Sequence, residues 1–202
     1  MRFARQSANS LKILSQPIPD GDAGVTRTVQ IMKALTYGRG GVRSPEVRYA
    51  ALLAVRETER GMAEIDAVLD WIKRNIEFRG EHGETLQEPR ITLRFRAGDC
   101  DDQSTLAAAM LSSLGFPVRF RTVAMKDDQG EFSHVYLEVF HRESKQWLSV
   151  DPTVARSWPG WEPQEIARSA RYGTMLPRDT SLSEGLITAA ATLGALYLAS
   201  QL

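Results

Sequence analysis

Cysteine is almost missing from this chain, which has one, Cys100, among 202 residues. A single thiol excludes an internal disulfide framework and a cysteine-rich zinc site. The chain also has no excess of one charge, because 25 basic residues balance 25 acidic ones. The net charge therefore gives no indication of binding to nucleic acid or to a membrane surface. Residues 1–16 lack the apolar run of a secretory signal. We therefore expect a cytoplasmic protein, and we assign it no metal or cofactor.

Apolar residues make up 43% of the chain, which is enough for a sizeable core, and in its first part they recur at helical spacing. Ser44 before Pro45 is typical of a helix start, with a capping hydroxyl and a proline in the first turn. The spacing predicts three helices, over residues 25–35, 45–59 and 62–76.

The stretch around Cys100 predicts a helix that begins at the cysteine. Asp99 is a good N-cap, and the apolar period continues to Leu114 before Gly115 ends it. A helix N-terminus favours a thiolate, but the carboxylates that flank Cys100 oppose it. A nearby imidazolium is therefore needed to activate the thiol, as in thiol hydrolases.

The second half of the chain alternates at strand spacing. We predict strands over residues 118–125, 134–140 and 146–150, joined by short turns into antiparallel hairpins. Helices followed by a meander of strands make an α+β domain. Two further segments complete the prediction. Residues 77–95 form a long loop that is extended from 91 to 95, and residues 164–172 form a short helix.

Two residues on adjacent predicted strands complete a set with Cys100. His134 begins one strand and Asp151 ends the next, so antiparallel pairing around the turn at 141–145 lets their side chains meet. A nucleophile, a base and a group that orients the base are the parts of a thiol hydrolase.

Three motifs carry a resemblance to a known family: GDCDD at 98–102, FSHVYLEV at 132–139 and WLSVDPT at 147–153. They resemble the helix start and the two strand motifs of the transglutaminase-like superfamily, in the same order, and the resemblance covers about residues 62–155. We therefore divide the chain into an N-terminal arm with helices (1–60), a catalytic core (61–155) and a C-terminal extension (156–202).

The resemblance implies a papain-like fold, with helices on an antiparallel sheet, and a Cys-His-Asp triad of Cys100, His134 and Asp151. It implies a cysteine peptidase or amidase that acts on a peptide or amide substrate. The oxyanion donors expected are the backbone N–H of Cys100 and the side chain of Gln87 in the preceding loop.

Some features depart from the family. Tyr136 stands where many members have tryptophan. Nothing resembles the extra domains or calcium sites of animal transglutaminases, which favours hydrolysis over protein cross-linking. The small size and the GDCDDQ variant suggest a phage or prophage origin.

Several charged residues allow two interpretations. Asp99, Asp101 and Asp102 could bind a cation, but we favour a cap for Asp99 and a helix-dipole role for the other two. His82 and His141 fall in loop or turn contexts, where we expect solvated side chains. Four arginines could line an anionic cleft, but their alternation favours a solvated strand face: Arg94, Arg96, Arg119 and Arg121.

The last 18 residues, 185–202, carry no charge. We favour a helix that packs on the domain or on another copy of the chain, with membrane contact as the alternative, since the run is rich in alanine and threonine. A second function therefore stays open: a catalytically idle binding or assembly protein that docks through this tail and the segment from Trp158 to Trp161.

Overall fold

The computed structural model describes residues 14–15, 21–80 and 85–175, with side chains for 21–80 and 85–173. The residue His82 and the segment 185–202 lie outside this range. The described helices are α1 (Gly21–Tyr37), α2 (Pro45–Ala54), α3 (Met62–Asn75), α4 (Pro89–Phe95) and α5 (Cys100–Ser113). The short strands are β1 (Leu14–Ser15), β2 (Glu77–Phe78), β3 (Thr85–Leu86) and β4 (Ala97–Gly98). The long strands are β5 (Val118–Met125), β6 (His134–His141), β7 (Gln146–Val150) and β8 (Ile166–Met175).

The four long strands form one antiparallel sheet in the order β7-β6-β5-β8. Leu137 faces Val150 across β6 and β7, and Arg119 faces Glu138 across β5 and β6. The predicted hairpins and the α+β fold class are therefore confirmed. The two pairs of short strands are separate: β1 pairs antiparallel with β3, and β2 pairs parallel with β4.

Helix α5 is the centre of the fold. Every residue from Asp101 to Ser112 is buried, because α1, α2, α3 and α4 pack around it and β6 crosses it on the sheet side. Ala107, Ala108 and Ala109 are fully buried, and their small side chains let the neighbouring elements approach closely. A helix that is buried all round needs small or apolar residues on all its faces.

Two predicted segments are wrong. Residues 91–95 belong to α4: Pro89 stands in its first turn, and Arg96 ends it in the left-handed conformation (φ 54°). Residues 166–175 form β8 instead of a helix, since β5 offers them an unpaired edge. The predicted second helix also ends earlier than expected, at Ala54.

A charged cluster on the sheet is centred on the buried carboxylate of Glu138. Glu138 accepts hydrogen bonds from Arg119, Arg121 and Arg171, and Arg121 also reaches Glu162. The prediction of a solvated face for Arg119 and Arg121 is therefore wrong, because several arginines share one buried carboxylate. Arg94 and Arg96 are exposed.

His141 is also buried, and its Nδ1 bonds the hydroxyl of Ser144 at 2.8 Å. Its predicted solvation is wrong, because the turn after β6 folds back over the ring. None of the described helices is both long enough and apolar enough to cross a membrane.

Candidate active site

Cys100 occupies the first position of α5 and is partly exposed. Asp99 caps the helix as predicted, because its carboxylate accepts the backbone N–H of Asp102 at 3.4 Å. Gly98 is required just before the cap: a Cβ at this position would lie 2.6 Å from the Cβ of Asp102. The thiol thus stands at the end of a buried helix where the backbone N–H groups are not used within the helix.

His134 lies between Cys100 and Asp151. Its Nε2 donates to Asp151 Oδ2 at 2.7 Å, which leaves Nδ1 as the ring nitrogen available to the neighbouring Cys100 thiol. The Asp151 side chain has no exposed surface, while that of His134 is 22% exposed. The three residues predicted from the motifs are therefore brought together.

Thr153 orients the carboxylate of Asp151, and the motif analysis gave it no role. Its backbone N–H and its hydroxyl donate to Asp151 Oδ1 at 3.0 and 2.7 Å. Oδ2 is thereby left for His134. The threonine of the D-P-T motif was the available sequence signal, because a hydroxyl two residues after an aspartate often bonds its carboxylate.

The environment of His134 and Asp151 favours an ion pair between the His134 imidazolium and the Asp151 carboxylate. Burial disfavours the imidazolium of His134, but its hydrogen bonds to Asp151 and Cys100 outweigh that effect and raise its pKa to about 10. Burial also works against the Asp151 carboxylate, yet the bonds from His134 and Thr153 lower its pKa. The imidazolium and the carboxylate are thus the stable forms at neutral pH.

Gln87 contacts Asp102. Its backbone N–H and its Nε2 donate to the two carboxylate oxygens of Asp102 at 2.8 and 2.6 Å. The structure thus gives the side-chain amide of Gln87 a carboxylate partner, and its role as an oxyanion donor stays a prediction.

Asp101 is buried and has an unusual charge state. Burial, with the hydrogen bond and charge of Asp99, raises its pKa to about 11, so its carboxyl is protonated at neutral pH. Its Oδ1 has no hydrogen-bond partner. Within the described ranges, Asp99, Asp101 and Asp102 are the one group of three side chains placed to hold a metal ion. Because the cap and Gln87 already occupy oxygens of Asp99 and Asp102, this cluster carries no metal assignment.

A cavity of about 290 Å³ opens beside Cys100 and His134. Helix α1 forms one of its walls, and the segment before β6 forms another. The sequence did not indicate that α1 borders the site, because its apolar period only places a face toward the core.

These elements together define an α+β fold in which a cysteine begins the central buried helix. The chain belongs to the transglutaminase-like superfamily, whose family model matches residues 48–152. The match begins before residue 61, where we predicted the catalytic core to begin. The division of the chain at residues 60 and 155 stays a prediction. The phage or prophage origin also stays a prediction.

Solved structures with a similar fold share little sequence with the chain. A "putative cysteine protease" from Cytophaga hutchinsonii is 20% identical with a TM-score of 0.49, and the match covers 72% of this chain and 54% of that one. A "putative protease" from Parabacteroides distasonis is 17% identical (TM-score 0.49; 62% and 26% covered), and a "TGase" is 14% identical (0.43; 76% and 38%). This chain thus spans about half the length of the first of these proteins and a smaller share of the other two. No curated protein matches the sequence significantly.

Proposed function

We propose that this protein is a cysteine-dependent acyl-transfer hydrolase that cleaves a peptide or amide bond. The observation that carries the proposal is the position of His134, bonded to Asp151 on one ring nitrogen and facing Cys100 with the other. The raised pKa of His134 supports an imidazolium beside Cys100 at neutral pH, and such a group activates a thiol nucleophile.

The reaction has two stages. The Cys100 thiolate attacks the carbonyl carbon, and the carbonyl oxygen becomes an oxyanion that accepts the Cys100 backbone N–H. The tetrahedral intermediate collapses, the His134 imidazolium gives its proton to the departing amine, and a thioester remains. His134 then takes a proton from a water that attacks the thioester, and the acid and the thiolate are released.

Asp151 acts through His134. Its buried carboxylate holds the ring with Nδ1 toward Cys100 and stabilises the imidazolium, while Thr153 keeps the carboxylate in place. An amine in place of water would complete a transamidation, so the acceptor is set by what can enter the site.

The test is the rate of iodoacetamide labelling of Cys100 between pH 5 and 10, measured by mass spectrometry. The chain has no other cysteine, so each adduct reports this thiol. We expect rapid labelling at pH 6–7 that collapses in His134→Ala and persists in His141→Ala, the matched control at a histidine outside the site. Equal rates in all three proteins would overturn the proposal.

A catalytically idle binding protein is the second candidate. The observation that favours it is Trp158, whose large apolar surface is 59% exposed a few residues after Asp151. This reading requires labelling of Cys100 that is independent of His134, together with binding of a protein partner that Trp158→Ala abolishes.

A further inference from the structure

The cavity next to the thiol has walls of distinct origin. Thr28 and other residues of α1 form one side, Phe132 to Val135 form the other, and Cys100 and Asp101 border both. Helix α1 precedes the part of the chain that matches the family (residues 48–152), so this wall lies outside the matched region.

The lining favours apolar, uncharged groups. Its largest uncharged side chains are apolar, and no lysine or arginine is among the described residues that border it. Its acidic members are Asp101, which is buried, and Glu131, which is exposed at the rim. The cation in the lining is His134, and Asp151 already pairs with it, so an anionic group that entered would lose water and gain no unpaired positive partner, which is costly in a desolvated site. The apolar members are Val25, Val29, Met32, Phe132 and Val135.

The volume limits the occupant. The cavity measures about 290 Å³, at the lower end of the range of roughly 300–1,000 Å³ for ligand pockets. The space thus suits one large side chain and excludes a folded segment.

Arg168 contacts both walls of the cavity, α1 and the segment before β6. Arg168 of β8 pairs with Asp22 in the first turn of α1, and its guanidinium lies 4.5 Å from the ring centre of Phe132. The same side chain donates to the carbonyl of Gly130 at 3.4 Å. These contacts join α1 to the segment before β6, the two elements on either side of the cavity.

We propose that this cavity binds the side chain of the acyl donor, and that it selects an uncharged apolar side chain of leucine to phenylalanine size over an acidic one. The proposal rests on the proposed function, since the cavity borders the thiol that attacks the acyl carbon. Helix α1 is accordingly the specificity-determining element of the enzyme.

The test uses two acetyl-aminoacyl chloromethyl ketones, one with a leucine side chain and one with a glutamate. In each, the Cys100 sulfur displaces chloride and forms a thioether, which mass spectrometry detects. We expect the leucine reagent to label the natural chain at least tenfold faster than the glutamate reagent, after each rate is corrected for reaction with free cysteine.

Two threonines of α1 provide a matched pair of variants. Thr28 borders the cavity, whereas Thr26 is exposed and does not border it. We expect Thr28→Trp to slow the leucine reagent at least tenfold. Thr26→Trp should leave the rate of the leucine reagent within twofold of that of the natural chain.

Equal rates for the two reagents on the natural chain would overturn the proposal, and so would equal behaviour of the two tryptophan variants. The comparison of the two reagents uses only the natural chain, so it tests the selectivity of the cavity even if Thr28→Trp does not fold. Failure of the proposed function has a different signature, namely iodoacetamide labelling that does not depend on His134.

Discussion

Asp102 holds Gln87 by two hydrogen bonds, one from the backbone N–H at 2.8 Å and one from Nε2 at 2.6 Å. The carboxylate belongs to the fully buried residue two positions after the thiol, and Gln87 precedes α4. This contact fixes the segment in front of the candidate nucleophile to the helix that carries it.

The first prediction concerns this contact. Asp102→Ala leaves two buried donors of Gln87 unpaired, at a cost of about 1–3 kcal/mol each, so we expect the unfolding free energy to fall by about 2–6 kcal/mol. Asp102→Asn should cost less, because its amide can pair with the buried Oε1 of Gln87, which has no partner. Urea unfolding measures both, and an equal loss in the two variants would contradict the argument.

The second prediction is the pH dependence of the His134–Asp151 pair. The raised pKa of His134, about 10, means that its contribution to stability is complete below its unfolded value of 6.5 and is lost as pH rises through about 10. The lowered pKa of Asp151 means that its contribution is present above about 4 and is lost as pH falls through the folded value.

Asp151→Asn removes the charge that favours the imidazolium, so the pKa of His134 should fall clearly below about 10. Proton NMR of the ring C–H groups measures this directly. In the same variant, amide hydrolysis should drop by roughly 10²–10⁴-fold, as when the orienting carboxylate of a triad is lost. An unchanged titration of His134 would show that Asp151 does not set its charge.

The third prediction is that Asp101→Asn stabilises the protein. The folded state keeps this carboxyl protonated because its pKa is about 11, while the unfolded chain ionises it above about 4. The unfolding free energy therefore falls as pH rises, because folding must return a proton to Asp101. An asparagine donates to Asp99 without ionising, so it removes this loss of stability.

We expect Asp101→Asn to raise unfolding free energy at pH 8 by about 1–3 kcal/mol and to flatten its decline between pH 5 and 8. Asp127→Asn, at an exposed carboxylate, is the control and should have little effect. A loss of stability in Asp101→Asn that persists at pH 8 would refute the protonated state.

The fourth prediction concerns Gly98. An alanine Cβ there would lie 2.6 Å from the Cβ of Asp102, so β4 and the start of α5 must separate, at a cost of about 1–3 kcal/mol. Labelling of Cys100 should slow in the same variant, because the thiol moves relative to His134. Gly80→Ala, where a Cβ meets nothing within 4 Å, is the control. Equal melting temperatures for the two variants would count against this packing constraint.

The fifth prediction concerns the uncharged segment 185–202, which we propose packs on the domain or on another copy. A chain that ends at residue 182 should lose thermal stability or change its oligomeric state in sedimentation velocity. If the shortened chain keeps both, the packing proposal fails; loss of vesicle binding alone would favour the membrane alternative.

Much of the fold could be predicted because its signals are local. Caps such as Ser44 and Asp99 form hydrogen bonds within one turn, and the periods of α1, α3, β5 and β6 repeat over a few residues. The grouping of Cys100, His134 and Asp151 could also be anticipated, since the hairpin register follows from the length of a short turn.

Other features could not be predicted, because they depend on residues far apart in the chain. Residues 166–175 become a strand only because β5 has an open edge, and the sequence alone does not show that edge. Arg121 looked like a surface residue, yet Glu138 and Glu162 make its burial tolerable by supplying opposite charge.

The sequence by itself determined α1, α2, α3, α5 and the hairpins, because backbone capping, side-chain periodicity and short turns act over a few positions. Its motifs also marked the three candidate site residues. Only the tertiary structure decided how α1 closes one side of the cavity and why Asp101 keeps its proton. Both depend on the packing of distant segments around a buried helix end, which sets the available space and the dielectric environment.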